Sequence, residues 1–360
     1  MGTIKRTFAN NVTTSGKLLA TDLTGTVPAS NIADSSVSAV TALPSAVGDA
    51  IESTATDPVS PTEGQIWYNS TEGKLKIYGL VAAVWSSGGN LGTARTYLAG
   101  CGTQTAALAY SGLNPLPSNI GITNTESYSG TAWTAGGALG TGRWGLGGTG
   151  TQTAAVAFGG YLTPSATGSS ATEKYNGSTW TASGNLNTAR LNLAGAGIQT
   201  ATLAFGGRTF PGSANPGATE SFNGTSWTTV TSMNTGRNNL GGAGTQTAAI
   251  GFGNPNATEL WNGSTWTNSG NLNTGRFSLA GSGTQTATLA FGGYPIAGAT
   301  ESFNGSTWTT SSTMGTARYG LAGAGTQASA LGFGGSTGAN STSTEKYTGA
   351  YLTNKNVTIS

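Results

Sequence analysis

Short apolar stretches broken by glycine-rich turns fill the chain from Arg95 onward, and they recur in register. Arg95, Arg143, Arg190, Arg237, Arg276 and Arg318 each follow a short Asn/Ala/Thr/Ser-Leu/Met-x-Thr-Ala/Gly segment. The interval is about 40–50 residues. Each Arg opens an apolar and Gly-rich stretch such as Leu191 to Gly197, then Gly-Thr-Gln-Thr or a close variant. The apolar run that follows ends at Tyr110, Phe158, Phe205, Phe252, Phe291 or Phe333. After a loop of variable length come Thr-Glu-x-(Tyr/Phe/Trp), a turn and Trp-Thr. Each unit therefore predicts four short strands. Asn-Gly at Asn176-Gly177, Asn223-Gly224, Asn262-Gly263 and Asn304-Gly305 predicts hairpins in which both turn residues adopt positive φ. Gly and Ala in the first strand suit an innermost position, and the fourth-strand Trp suits packing between neighbouring units.

The order Arg, apolar strand, Gly-Gly, Glu-x-Tyr, Trp, loop, Arg resembles the kelch repeat of β-propellers and covers residues 85 to 350. It departs from the usual unit in being richer in Thr and Gly, and its Gly-Gly is imperfect at Ser111-Gly112 and Gly253-Asn254. The resemblance implies an all-β, kelch-like β-propeller of four-stranded blades, preceded by an extended N-terminal arm. Six blades close if Val84-Trp85-Ser86 supplies the outer strand of the last one, because Leu352 falls at the Trp position there. Seven is the alternative, if Lys74 to Trp85 and the C-terminal tail build a further blade.

The first 94 residues differ. Residues 1–60 have no clear period, and Ile32, Val37, Val40, Leu43, Val47 and Ile51 form an apolar line too thin to bury a core alone. Residues 61–84 read as a hairpin linker, with Gln65 to Asn69 and Lys74 to Tyr78 alternating around Ser70 to Gly73. Residues 85–360 are assigned to the propeller. The run from Pro61 to Lys76 is similar to a short hairpin module of bacteriophage tail and fibre proteins. That likeness implies a virion protein on the particle surface, whose arm (1–60) docks on other virion proteins or drives homo-oligomer formation, a trimer being one form.

Composition narrows the chemistry. Of 360 residues 59 are Gly and 8 % are charged, which fits either disorder or a turn-rich all-β chain. Nine Trp, ten Phe and eleven Tyr at fixed spacing decide for the second. A net charge of +2 with no basic stripe supports no nucleic-acid partner, and no apolar run is long enough for a signal peptide or membrane insertion. Cys101 is the single cysteine, standing where the repeat has Ala, and is expected to be a small buried residue.

No histidine occurs, which removes His-based acid–base chemistry, Ser-His-Asp triads and a copper centre of the kind some kelch-type propellers hold. No cofactor, metal or catalytic residue is expected. Every Asp lies at or before Asp57, and the repeats carry one carboxylate each: Glu126, Glu173, Glu220, Glu259, Glu301 and Glu345. A catalytic pair needs carboxylates in unlike environments. Six equivalent Glu and six equivalent Arg instead predict structural Glu–Arg pairs bracing each blade.

The Gly-Thr-Gln-Thr and Asn-Gly turns are nearly uniform, whereas the second-to-third-strand loops vary and share the opposite face with the fourth-to-first-strand loops. Variable loops on a rigid frame are where recognition concentrates. Aromatic residues that break the repeat gather there: Tyr97, Trp144, Tyr161, Phe210, Phe277, Tyr294 and Tyr319, with Arg208 as a charge outside the pattern. They form the candidate ligand-binding face for a host-surface glycan or protein, although several would serve equally well to plug the funnel of the propeller. The leading expectation is a bacteriophage appendage, tail or head fibre, that binds the host; the alternatives are a purely structural virion protein and a polysaccharide-cleaving tailspike.

Overall fold

Glycine-bounded apolar stretches become strands of three to five residues in the four-stranded sheets of the repeat region. The computed structural model describes residues 51–115, 120–212, 214–295 and 298–357, among which there is no helix. Ala83–Gly349 forms one compact unit, and the described residues outside it form another.

Within Ala83–Gly349 the described strands make six four-stranded antiparallel sheets and one two-stranded ribbon, a propeller-like repeat. The first sheet is Ala99–Gly102, Ala107–Tyr110, Thr125–Tyr128 and Trp133–Ala135, hydrogen-bonded in chain order. The next four repeat that order. The sixth takes Ala322–Gly325, Ser329–Phe333, Thr344–Thr348 and then Val84–Ser87, with Trp85 opposite Tyr347. The first strand of each sheet neighbours those of the sheets before and after it, and that of the sixth neighbours that of the first.

Burial follows position in the sheet. Second strands are buried along their last four residues, as in Ala155–Phe158, first strands alternate, and fourth strands are mostly exposed beyond their Trp. The seam between sheets is built from three contacts that recur at every junction. The aromatic ending each second strand slots against a Gly of the next first strand: a Cβ on Gly100 would lie 2.3 Å from Phe333 Cζ. The next fourth-strand Trp covers the same ring, as in Trp227 on Phe158 at 5.1 Å between centroids. Its indole N–H also donates to the Thr of the preceding Thr-Glu, Trp227 to Thr172 at 2.9 Å and Trp133 to Thr344 at 2.9 Å. Third, the Gln of each Gly-Thr-Gln-Thr turn donates from Nε2 to two carbonyls of the preceding sheet. Gln199 reaches Ala155 (2.9 Å) and Tyr175 (2.5 Å), and Gln104 reaches Ala330 (3.0 Å) and Tyr347 (2.6 Å) of the sixth. Cys101 is buried as expected, and burial pushes its thiol up to about 12.

The Asn-Gly turns differ from expectation. Gly177 is at φ 96° but Asn176 is not at positive φ, because four residues, not two, separate Tyr175 from Trp180. Asn176 instead accepts the N–H groups of Ser178 (3.0 Å) and Thr179 (2.8 Å) on Oδ1, a side-chain-closed turn. Where Gly-Gly is imperfect, Ser111 (φ 60°) and Asn254 (φ 52°) adopt the left-handed conformation themselves.

The second unit is a four-stranded sheet of Glu52–Thr54, Ile66–Asn69, Lys74–Val81 and Tyr351–Asn356. The hairpin pairs Asn69 with Lys74 around Ser70 to Gly73. Two boundaries differ from the sequence reading. Glu52–Thr54, inside the span read as an arm, joins this sheet parallel to Ile66–Asn69. The repeat unit ends at Gly349, not at residue 360: Leu352 lies opposite Leu80, and the Trp position of the sixth sheet is filled by Trp85. The apolar line from Ile32 to Val47 lies outside the described residues; Ile51 is buried.

Asp57 organises this sheet. It accepts hydrogen bonds from Trp67 Nε1 (3.1 Å), Asn69 Nδ2 (2.8 Å), Lys76 Nζ (2.9 Å) and Asn354 Nδ2 (2.9 Å). Burial alone would raise its pKa, but the hydrogen bonds from Asn69, Lys76, Trp67 and Asn354 outweigh it and hold the carboxyl well below the usual range.

Two outcomes follow from these contacts. Gln104→Ala removes two hydrogen bonds to carbonyls of the sixth sheet, and a loss of about 1–3 kcal/mol is expected in denaturant unfolding, matched by Gln199→Ala at an ordinary junction. For Asp57 the folded pKa lies below the unfolded one, so its stabilisation is complete above about pH 4 and drains as pH falls. The Trp67 indole N–H is expected to lose hydrogen-exchange protection on acidification from about pH 5 to pH 2, and Asp57→Asn to abolish that pH dependence.

Candidate binding face

At the loop end of every sheet the chain enters through the repeat Arg. The guanidinium is almost fully buried in all six, and its partner is the Glu of the third strand. The pairs are Arg95–Glu126 (2.7 Å), Arg143–Glu173 (3.1 Å), Arg190–Glu220 (2.8 Å), Arg237–Glu259 (3.0 Å), Arg276–Glu301 (3.1 Å) and Arg318–Glu345 (2.9 Å). The second carboxylate oxygen takes the backbone N–H three residues before the Arg, as Glu220 takes that of Asn187 at 2.6 Å. Arg190 Nη1 also donates to the carbonyls of Gly206 (2.6 Å) and Ala218 (2.7 Å), at the two ends of the variable loop. One side chain thus clamps both loop types to the sheet. Burial lowers the pKa of each Arg, to about 10 at Arg95, and the adjacent Glu opposes the shift. All remain cationic near neutrality.

Two residues past each Arg the backbone turns back at positive φ: Tyr97 (51°), Gly145 (62°), Asn192 (55°), Asn239 (53°), Ser278 (55°) and Gly320 (61°). These six residues are joined by their own backbone groups. Tyr97 donates to Gly320, Gly145 to Tyr97, Asn192 to Gly145, Asn239 to Asn192, Ser278 to Asn239 and Gly320 to Ser278, at 2.6 to 2.9 Å. The circuit returns to its start.

The residue between Arg and that turn makes a single antiparallel bridge to its variable loop in several sheets, including Trp144 with Tyr161, Leu191 with Arg208 and Phe277 with Tyr294. These bridges bring the predicted aromatics into one unbroken run. In order along it, Phe210 meets Tyr161 (5.2 Å), Tyr161 meets Trp144 (5.0 Å), Trp144 meets Tyr97 (5.6 Å) and Tyr97 meets Tyr319 (6.5 Å). Tyr319 then meets Tyr294 (5.8 Å), and Tyr294 meets Phe277 (5.3 Å). Arg208 stands over Phe210 at 5.9 Å. Every residue singled out for this face belongs to the run, although five different sheets supply them.

The run is not uniformly open. Tyr294 is 50 % and Phe277 37 % exposed, whereas Tyr97 is half-buried. Burial raises the Tyr97 pKa, opposed by a side-chain hydrogen bond with Ser278 of the fifth sheet, and the ring lies beside Gly320. Between Phe277 and Phe210 the rim is amide: Asn239 donates to Asn238 Oδ1, Asn238 to Asn215 at 2.7 Å, and Asn254 to the Asn238 carbonyl. Trp144 Nε1, Asn192 Oδ1 and Arg208 Nε are buried atoms without a hydrogen-bond partner.

Sequence reasoning missed Asn192, Asn239 and Ser278 as rim residues, although their common place two residues after Arg was visible. It also took Gly-Thr-Gln-Thr as a turn only, whereas its Gln bridges sheets. Among the described residues no group of three or more His, Cys, Asp or Glu is arranged to hold a metal ion. No family model and no curated protein matches the chain.

The ion pairs carry a measurable expectation. Glu220→Leu strands a buried guanidinium and should cost about 3–5 kcal/mol in denaturant unfolding. Adding Arg190→Met should bring the total below the sum of the two single losses by about 0.5–3 kcal/mol.

Proposed function

We propose that the chain is a non-enzymatic recognition protein of a bacteriophage particle, built on a six-bladed kelch-like propeller whose loop face stacks on a host-surface glycan. The observation that carries the reading is the aromatic run: seven rings from five sheets in continuous contact on the face where loops vary. Rings with amide and hydroxyl neighbours suit the apolar faces and hydroxyl edges of sugars. The completed hydrogen-bond circuit and the fourth strand contributed by Val84–Ser87 support six blades sealed by the N-terminal side of the repeat unit. The hairpin from Gln65 to Tyr78 supports the phage assignment, with residues 1–50 as the arm that docks on other virion proteins or gathers copies into an oligomer. Several copies would add weak contacts through effective concentration.

The half-buried Tyr97, tied to Ser278, favours a second reading in which the rings seal the mouth of a purely structural spacer. A cleaving tailspike is the weakest reading, because each carboxylate of the repeats is occupied by a guanidinium.

Full-length protein titrated against surface polysaccharides of host bacteria separates these readings. Saturable binding is expected, with Trp144→Ala and Tyr294→Ala each weakening it about tenfold while thermal unfolding of Tyr294→Ala is unchanged. No binding to cells or polysaccharide would leave the spacer reading, and release of reducing ends would establish cleavage.

A further inference from the structure

The charges of Ala83–Gly349 are distributed unevenly. Its six Glu are all consumed by the repeat Arg residues, and Lys174 donates to the Gly224 carbonyl at 2.9 Å. Arg208 alone among the arginines of this unit has no carboxylate. Among the described residues its guanidinium stands over the Phe210 ring, and its buried Nε lacks an acceptor. It stands at one end of the aromatic run, on a face with no acidic side chain. A guanidinium stacked on a ring, with no carboxylate to neutralise it, is arranged to receive a planar or tetrahedral anion through paired N–H groups. Along the run from Phe210 and Tyr161 comes Trp144, whose indole N–H is a donor without partner, and beside Gly145 lies the unpaired Asn192 Oδ1.

We propose that the ligand of this face is an anionic saccharide, its acidic group held by Arg208 and the same sugar stacked on Phe210 and Tyr161. This deepens the glycan reading above and rests on it. The acid is a carboxylate or a phosphate, two sources of the same chemistry; a protein ligand would instead leave a stacking run this long with no repeating partner.

The test uses the full chain on an array of neutral, carboxylated and phosphorylated glycans, followed by titration of the hits. Binding is expected on anionic glycans only, and which set responds identifies the acid. Arg208→Gln should weaken it at least about tenfold, with Arg208→Lys intermediate and thermal unfolding unchanged in both. Reducing the ligand's carboxyl to the alcohol, or removing its phosphate, should weaken binding equally and cause no further loss in Arg208→Gln. Equal binding of neutral and anionic glycans, or an Arg208→Gln protein that binds like the parent, overturns the anionic proposal and leaves the glycan reading standing. Binding to no glycan, or only to a protease-sensitive component of the cell surface, overturns both.

Discussion

A guanidinium taken out of water has five donors to satisfy and a charge to neutralise, and this chain buries six of them at equivalent places. Each finds a carboxylate on the third strand, all but Arg237 find a carbonyl at an end of the variable loop, and the carboxylate's other oxygen holds the backbone that leads into the sheet. The pair therefore joins three segments distant in sequence: the entry to the sheet, its third strand and its most divergent loop. In strands of about four residues, with few ladder hydrogen bonds each, such a clamp sets where the loops begin. The loops can change length, as between Asn254 to Ala257 and Arg208 to Ala218, without moving the sheet.

Contacts between sheets follow a different logic, since they must be made by side chains alone. The ring that ends a second strand is enclosed by a Gly on one side and a Trp on the other, and the Trp N–H and Gln amide find acceptors in the preceding sheet. Apolar area holds the junction together and the hydrogen bonds orient it. Because the sixth-to-first junction uses the same parts, in Trp133, Phe333 and Gln104, closure demands no special residue.

Uniform parts also explain where variation is tolerated. The backbone circuit through Tyr97, Gly145, Asn192, Asn239, Ser278 and Gly320 depends on N–H and C=O groups that every residue except Pro possesses. Side chains at those six places, and at the six before them, are free to differ. Here they differ toward rings on one side and amides on the other. Positive φ selects Gly and Asn at some of them but does not forbid Tyr97.

Strand order, the pairing of each Arg with a Glu, the interunit place of Trp and the face that gathers Tyr97, Trp144, Tyr161, Arg208, Phe210, Phe277, Tyr294 and Tyr319 were all legible in the sequence. Repetition made them so, because a residue type returning at one position in every unit reveals a shared environment without any alignment of relatives. Four matters were decided only by tertiary structure. These are the four-residue geometry of the Asn-Gly turns, the reach of each Gln into the preceding sheet, the pairing of Tyr351–Asn356 with Lys74–Val81, and the order of rings along the face. Each depends on contacts between segments far apart in the chain. A periodic sequence says what each unit contains, but which atoms of two units meet is set by the twist and spacing of the sheets that carry them.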